Sequence, residues 1–204
     1  MKAKHLVIGL SLLITTAISH SAMAKRILVY GDSLSAGYGI NPEVGWVALL
    51  AEHLGDQHEV LNGSISGETS AGGLARLPLT LEQLQPELVL LELGANDGLR
   101  GLPVSRLEAN LNAMVTQLSK AGVETVIVGI SVPPSYGPRY VDQFRAVFPK
   151  VAENNDLPFI DLYLEEFFLE PGFIQQDGLH PTEQAQPIVA DLLLDFLQTQ
   201  ELLD

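Results

Sequence analysis

The chain reads as a single α/β domain built on a doubly wound, five-stranded parallel sheet with helices on both faces. Two observations predict this. Short apolar runs alternate with amphipathic ones at a steady pace from residue 26 onward, as expected when parallel strands are buried on both sides by the helices that connect them. Turn-forming residues fall between the runs, at Gly94, Gly122 and Pro133-Pro134. Right-handed crossovers then make the doubly wound sheet the economical topology.

The first 24 residues have the three parts of a cleaved secretory leader. Lys2 and Lys4 supply a positive start, Leu6 to Ile18 an apolar run, and Ala22-Met23-Ala24 a small-x-small cleavage site. A spanning helix needs roughly 20 apolar residues, more than this run offers. The expected division is therefore a leader over 1–24 and one domain over 25–204, long enough for a single sizeable core.

Within that domain, Arg26 to Tyr30, Glu59 to Leu61, Leu88 to Leu93, Thr125 to Ile130 and Phe159 to Ile160 read as strands. Trp46 to Leu54, Gly73 to Leu84, Val104 to Lys120 and Tyr140 to Asn154 read as helices between them. A last helix spans about Thr182 to Leu197, with Thr182 as its cap and Ile188, Val189, Leu192, Leu193 and Phe196 as its apolar stripe. Pro78 falls inside the second helical run and is expected to kink it or split off its first turn.

Composition narrows the chemistry. There is no cysteine, which excludes disulfides, thiolate metal ligands, a catalytic thiol and a lipidated N-terminal cysteine. The formal net charge is −14. The leader carries two lysines and no acid, so the remaining domain stands at −16. Such acidity repels nucleic acid phosphates and anionic lipid surfaces, and neither is an expected partner. Nothing calls for a cofactor or a metal, stable membrane insertion is not expected, and nothing suggests more than a monomer.

Unusual polar residues stand where three of the strands end: Gly31-Asp32-Ser33-Leu34, Asn62-Gly63-Ser64-Ile65-Ser66-Gly67-Glu68-Thr69, and Gly94-Ala95-Asn96-Asp97. A parallel sheet brings these ends to one edge, where ligands of open α/β sheets bind. Ser33 is the candidate nucleophile, and it needs a base. Of the three histidines beyond the leader, His53 and His58 read as solvated helix and turn residues. His180 lies in Gln176-Asp177-Gly178-Leu179-His180-Pro181, three residues after Asp177, so one compact turn folds the carboxylate back against the imidazole to orient it. Gly67 and Ser33 offer backbone N–H groups, and Asn96 a side-chain amide, to a developing oxyanion. Other templates fail: G-x-S-x-G, G-x-x-x-x-G-K-[ST] and H-E-x-x-H are missing, and Pro42 occupies the third glycine position of the dinucleotide fingerprint that Gly37-Tyr38-Gly39 begins.

Taken together, these four blocks in this order resemble the GDSL, or SGNH, hydrolase superfamily over essentially the whole domain. The resemblance implies a flavodoxin-like SGNH hydrolase fold. It matches Ser33 to the nucleophile, Gly67 and Asn96 to the oxyanion residues, and Asp177 and His180 to the rest of the triad. Ser33 to Tyr38, Gly73 to Pro78 and Asn96 to Gly101 are similar to a narrower bacterial periplasmic group in it. That group implies esterase, thioesterase and lysophospholipase activity on acyl chains, with Ala95 standing where it has a second glycine.

Loops Gly98 to Leu102 and Val132 to Tyr140 are expected to shape the acyl groove, with Leu99, Leu102, Pro134 and Tyr136 as its apolar and aromatic contributors. The expected substrate is a small-molecule acyl ester or thioester, cleaved through an acyl-enzyme. Export, to the periplasm or beyond, places carboxylic and lysophospholipid esters above acyl-CoA, a cytosolic polyanion. Two other classes share these blocks or this fold: a carbohydrate acetylesterase and a non-catalytic acyl-binding protein.

Overall fold

The computed structural model describes residues 24–162 and 170–204. Apart from Ala24, the leader expected over 1–24 lies outside the described residues.

Five strands form one all-parallel sheet: β1 (Arg26–Gly31), β2 (Glu59–Asn62), β3 (Leu88–Glu92), β4 (Glu124–Gly129) and β5 (Phe159–Asp161), in the order β2-β1-β3-β4-β5. This is the flavodoxin-like order, with its switch point between β1 and β3. Helices α1 (Ser33–Ala36), α2 (Trp46–Leu54), α3 (Ser70–Leu84), α4 (Ala95–Leu99), α5 (Val104–Lys120), α6 (Pro138–Arg145), α7 (Val147–Asn154) and α8 (Gln186–Thr199) follow the strands.

The period of two in the central strands divides the core between two faces. Leu28, Tyr30, Val89, Leu91 and Ile127 pack with α3, α5, α6 and α7 residues such as Leu77, Leu111, Met114, Phe144 and Phe148. Ile27, Val29, Leu88, Leu90, Val126 and Val128 face the other way, onto Trp46, Leu50 and Leu54 of α2 and Val189, Leu193 and Leu197 of α8. Side chains on both faces of β3 are fully buried, which is why its sequence is a continuous apolar run and not an alternation.

Four expectations change. The helix expected from Gly73 begins at Ser70, because the Thr69 side chain accepts from the Gly72 N–H at 3.2 Å and caps it there. It continues through Pro78 without splitting. The single helix expected over Tyr140 to Asn154 is two, divided at Ala146. Pro149 supplies the reason: it has no N–H for the Arg145 carbonyl and its ring crowds that carbonyl. Finally, Thr182 precedes a 3₁₀ turn, Glu183–Ala185, and its hydroxyl donates to the Gly172 carbonyl at 2.7 Å without capping the helix, which starts at Gln186. The short helices α1 and α4 were not expected, since a single turn carries no apolar period.

Pro78 is exposed and interior to α3, where proline is about 3 kcal/mol less favourable than alanine. Loss of its restriction on the unfolded chain returns about 0.4–1 kcal/mol. Pro78→Ala is therefore expected to stabilise the fold by about 2–2.5 kcal/mol, read as a higher urea midpoint; a lower midpoint would mean that the helix requires the proline.

Candidate active site

At the end of β1 the chain turns sharply into α1. Asp32 caps that helix, its Oδ1 accepting from the Leu34 N–H at 3.2 Å, and Gly37 ends it in the left-handed region. Ser33 thus occupies the first helical position, where a backbone N–H has no intrahelical partner. The turn is held from both sides: Trp46 Nε1–H donates to the Leu34 carbonyl at 3.2 Å, and Asn62 Nδ2–H to the Ser35 carbonyl at 2.9 Å.

The turn bearing His180 is equally well built. An antiparallel bridge pairs Ile174 with Pro181, the Gln175 N–H donates to the His180 carbonyl at 2.8 Å, and the Gly178 N–H to the Gln175 carbonyl at 3.0 Å. Asp177 Oδ1 accepts from the Leu179 and His180 N–H groups at 2.9 and 3.0 Å. Its other oxygen lies 2.7 Å from His180 Nδ1, and His180 Nε2 lies 2.8 Å from Ser33 Oγ. Burial is the largest influence on Asp177 and pushes its carboxyl up, but the hydrogen bonds from the His180 ring and from the two N–H groups outweigh it and leave the group below its ordinary value. An ionised Asp177 places the ring proton on Nδ1, so Nε2 is free to accept from the Ser33 hydroxyl. Both Ser33 and His180 keep a little exposure, 7% and 8%. The Tyr38 ring, 54% exposed, lies 4.6 Å from the imidazole between centroids, and its carbonyl accepts from Gln175 Nε2 at 2.8 Å.

The other two strand ends carry candidate donors. Asn96 lies in the first turn of α4, and its buried Nδ2 has no hydrogen-bond partner among the described residues, which leaves it available to a ligand oxygen. Gly67 adopts φ +82°, a conformation side chains rarely take, and is exposed. Its carbonyl accepts from Arg100 Nη2 at 2.9 Å.

Buried carboxylates fasten these loops to one another. Asp32 Oδ2 accepts from the Ala95 N–H at 3.0 Å, joining the Ser33 turn to the Asn96 turn. Asp97 Oδ2 accepts from the Ser70 N–H at 2.7 Å and Oδ1 from the Ser70 hydroxyl at 2.6 Å, joining the Asn96 turn to the helix that follows Gly67. Asn110 Nδ2–H donates to the same Ser70 oxygen at 2.8 Å.

Of the residues singled out from sequence, Ser33, Asp177 and His180 are in direct hydrogen-bond contact, and Gly67 and Asn96 sit on loops tied to the same edge. The two candidate groove loops also meet. Tyr136 Oη–H donates to the Leu99 carbonyl at 2.9 Å, and Tyr140 Oη approaches the Gly98 and Leu102 carbonyls at 3.2 and 3.4 Å. Tyr136 and Pro134 are exposed on a 3₁₀ turn, while Leu99 and Leu102 are half-buried. Ala95 is fully buried and packs in the core. His58 is a correction: it is buried, and its Nδ1 accepts from the Lys25 N–H at 3.2 Å. His53 remains a partly exposed helix residue, 3.7 Å from an Asp191 oxygen.

Sequence reasoning overlooked Asp97 and Ser70 as a clamp, Tyr38 beside the imidazole, and above all Glu92. The last stands in the apolar run Leu88-Val89-Leu90-Leu91-Glu92-Leu93, where an acid in a strand buried on both faces was the available signal. Among the described residues no cluster of three or more His, Cys, Asp or Glu is placed to hold a metal ion, and no helix is long and apolar enough to cross a membrane.

The model of the GDSL-like lipase/acylhydrolase family matches residues 29–187. The arylesterase of Vibrio mimicus is 44% identical over 192 residues, covering 92% of this chain and 96% of the relative. The thioesterase 1/protease 1/lysophospholipase L1 of Escherichia coli K12 is 43% identical over 178 residues, covering 87% and 86%. Among solved structures, the psychrotrophic esterase EstA from Pseudoalteromonas sp., inhibited by monoethylphosphonate, superposes with a TM-score of 0.81 at 40% identity, covering 86% of this chain and 98% of that one.

The Asp97 clamp yields a stability prediction. Asp97→Ala leaves the buried Ser70 N–H unpaired, a cost of about 1–3 kcal/mol, and is expected to lower the urea midpoint; Ser70→Ala keeps the N–H bond and should cost less. Equal losses in the two variants would show that the hydroxyl, not the N–H, carries the clamp.

Proposed function

This chain belongs to the GDSL-like lipase/acylhydrolase family and is an ester-hydrolysing enzyme; we propose that it cleaves carboxylic esters, lysophospholipids and acyl thioesters in two acyl-transfer steps at Ser33. The observation that carries this reading is the continuous chain of hydrogen bonds from Ser33 Oγ through His180 to Asp177, at 2.8 and 2.7 Å.

In the first step Ser33 Oγ attacks the acyl carbonyl while His180 Nε2 takes its proton. Asp177 holds the ring in the tautomer that leaves Nε2 basic and stabilises the imidazolium that forms. Negative charge grows on the carbonyl oxygen, and the Ser33 N–H, Gly67 N–H and Asn96 Nδ2–H are the donors for it. The unpartnered amide of Asn96 supports that assignment: a donor already bonded elsewhere would have to break a bond to serve. His180 then gives its proton to the departing alcohol or thiol. Water enters, loses a proton to the same nitrogen and attacks the acyl-enzyme, which releases the acid and restores Ser33.

The substrate order rests on chemistry and charge. The loops latched at Tyr136 and Leu99 offer an apolar and aromatic surface to an acyl chain. A domain of charge −16 repels a polyanionic leaving group such as coenzyme A, so uncharged carboxylic esters and zwitterionic lysophospholipids rank above acyl-CoA. Residues 1–24 act in this reading as a cleaved leader that delivers a monomer of residues 25–204 to the periplasm or beyond. Mass spectrometry of the exported protein is expected to find Lys25 at its N-terminus, and an intact Met1 would overturn the leader.

Ser33→Ala is expected to abolish the burst of alcohol from an activated ester and lower kcat by about 10⁴-fold or more. Asn96→Ala should lower it by about 10²–10³-fold. Retained activity in the serine variant would remove Ser33 as nucleophile. In a series of esters of increasing chain length, Leu99→Gly and Tyr136→Gly are expected to shift the preferred length. An unchanged preference would take these loops out of the acyl groove, and a preference for acetylated sugars would select a carbohydrate acetylesterase.

A further inference from the structure

Against the turn that carries the proposed nucleophile lies a buried acid that the mechanism above does not use. Glu92 ends β3, opposite Gly31 of β1 in the sheet register, and is fully buried. Its Oε2 lies 2.5 Å from Ser35 Oγ and 3.4 Å from the Asp32 nitrogen. Its Oε1 is buried with no hydrogen-bond partner. The fold makes room for this side chain: a Cβ at Gly31 would meet Glu92 Oε2 at 2.5 Å and the Glu92 carbonyl at 2.6 Å.

The groups facing this carboxyl are few. From the β1–α1 turn comes Asp32, also fully buried; from α1 the Ser35 hydroxyl; and beyond Asp32 the His180 ring, which acts electrostatically on it. Among the described residues no lysine or arginine pairs with either acid. Two adjacent buried carboxylates without a cation cannot both be ionised at modest cost. The hydrogen bonds decide which one carries the charge. Both oxygens of Asp32 accept from backbone N–H groups, Leu34 and Ala95, at 3.2 and 3.0 Å, whereas Glu92 has one oxygen bare and the other against a hydroxyl that can equally accept, with one long contact, 3.4 Å, from the Asp32 N–H.

We propose that Glu92 is a positioning residue that works as an uncharged carboxylic acid, donating to Ser35 Oγ and leaving Asp32 as the single anion that ties the nucleophile turn to the Asn96 turn. The bare Oε1 is then a neutral carbonyl oxygen, far cheaper to bury unpaired than half of a carboxylate. Asp32, kept ionised, fixes the spacing between Ser33 and Asn96 through two charge-assisted bonds. Burial, and then the Asp32 charge, push the Glu92 carboxyl well above its ordinary range, and burial pushes Asp32 only to about 6, which gives the same order of ionisation.

The sign of the pH dependence follows. Both acids hold their protons more tightly in the folded chain than in the unfolded one, so their contribution to stability falls as pH rises through the folded values. Glu92→Gln keeps the neutral donor to Ser35 and removes the Glu92 share of that fall.

The kinetic part of the test rests on Ser33 as nucleophile; the spectroscopic part does not, so the two readings fail separately. In infrared spectra, wild-type protein at about pH 8, above the Asp32 value, is expected to retain a protonated-carboxyl band that Glu92→Gln lacks. Glu92→Gln should keep kcat/KM within about 3-fold at neutral pH and show a flatter loss of thermal midpoint toward alkaline pH, while Asp32→Asn should lower kcat by about 10²-fold with KM little changed. No protonated-carboxyl band in the wild type, or a Glu92→Gln loss as deep as that of Asp32→Asn, overturns the proposal. Should Glu92→Gln not fold, the wild-type band decides alone: its persistence supports the neutral acid and its absence removes it.

Discussion

The pairing of β1 with β3 sets every distance at the active edge. Its rungs run from Ile27 against Leu88 to Gly31 against Glu92, and the next residue of β1, Asp32, is thereby delivered to the Ala95 N–H three residues beyond the end of β3. A slip of one residue would exchange the two faces of β1, sending Leu28 and Tyr30 toward α2 and α8 and Val29 toward α3 and α5, against the sorting of the core. The same slip would part Asp32 from Ala95, and with it Ser33 from Asn96. Because β1 lies between β2 and β3, the loops carrying Gly67 and Asn96 flank the Ser33 turn on either side. Hydrophobic sorting thus fixes the positions of polar donors that contribute nothing to it.

His180 reaches the same edge by another route, from near the end of the chain. The helix α8 that follows it packs on α2 through Leu193, Leu197 and Val189 against Leu50, Leu54 and Trp46. Polar ties then set the turn relative to the Ser33 loop: Gln186 Oε1 accepts from the Trp46 N–H at 2.9 Å, Gln175 Nε2–H donates to the Tyr38 carbonyl at 2.8 Å, and Glu183 Oε1 accepts from the Asn41 N–H at 3.2 Å. All three attach the His180 region to the segment between Tyr38 and Trp46. The Ser33–His180 bond, joining residues 147 apart in sequence, is therefore the outcome of helix packing on one face of the sheet, with Asp177 needing only its own turn.

Much of this was legible in the sequence because it is local. The bounds of α2 and α5 follow from their apolar period, and the Asp177 to His180 spacing from the reach of one turn. The strands of the buried sheet were readable as apolar runs, but that reading absorbed Glu92 into Leu88 to Leu93 as though it were another core residue. Its partners, Ser35 and Asp32, lie about sixty residues away, and no local pattern reports them. Asp97 was visible beside Asn96 while its attachment to Ser70 was not, for the same reason. Pro78 and Pro149 show a different limit: each removes one helical donor, yet α3 continues through the first and the helix before the second ends at Arg145. His58 read as a solvated turn residue, yet it is buried and its ring accepts from the N–H of Lys25, 33 residues away.

Asp32, Glu92 and Asp97 are the buried acids among the described residues, and all three stand at the carboxyl edge of β1 and β3. An ionised carboxylate in such a place is expensive, and apolar replacements of similar volume would often stabilise a fold. Their concentration here has a physical rationale in what an oxyanion site requires. Donors must be aimed before charge develops, because dipoles that have to turn during the reaction return much of the stabilisation as reorganisation. A backbone N–H is aimed by fixing its loop, and a buried anion that accepts from two loops at once fixes their spacing more stiffly than apolar contact, which has no preferred direction. Asp32 spans the Ser33 and Asn96 turns in this way, and the side chain of Asp97, itself on the Asn96 turn, reaches the helix after Gly67 through both of its bonds to Ser70. An uncharged Glu92 completes the arrangement, since a second anion beside Asp32 would add repulsion where the spacing has to be held.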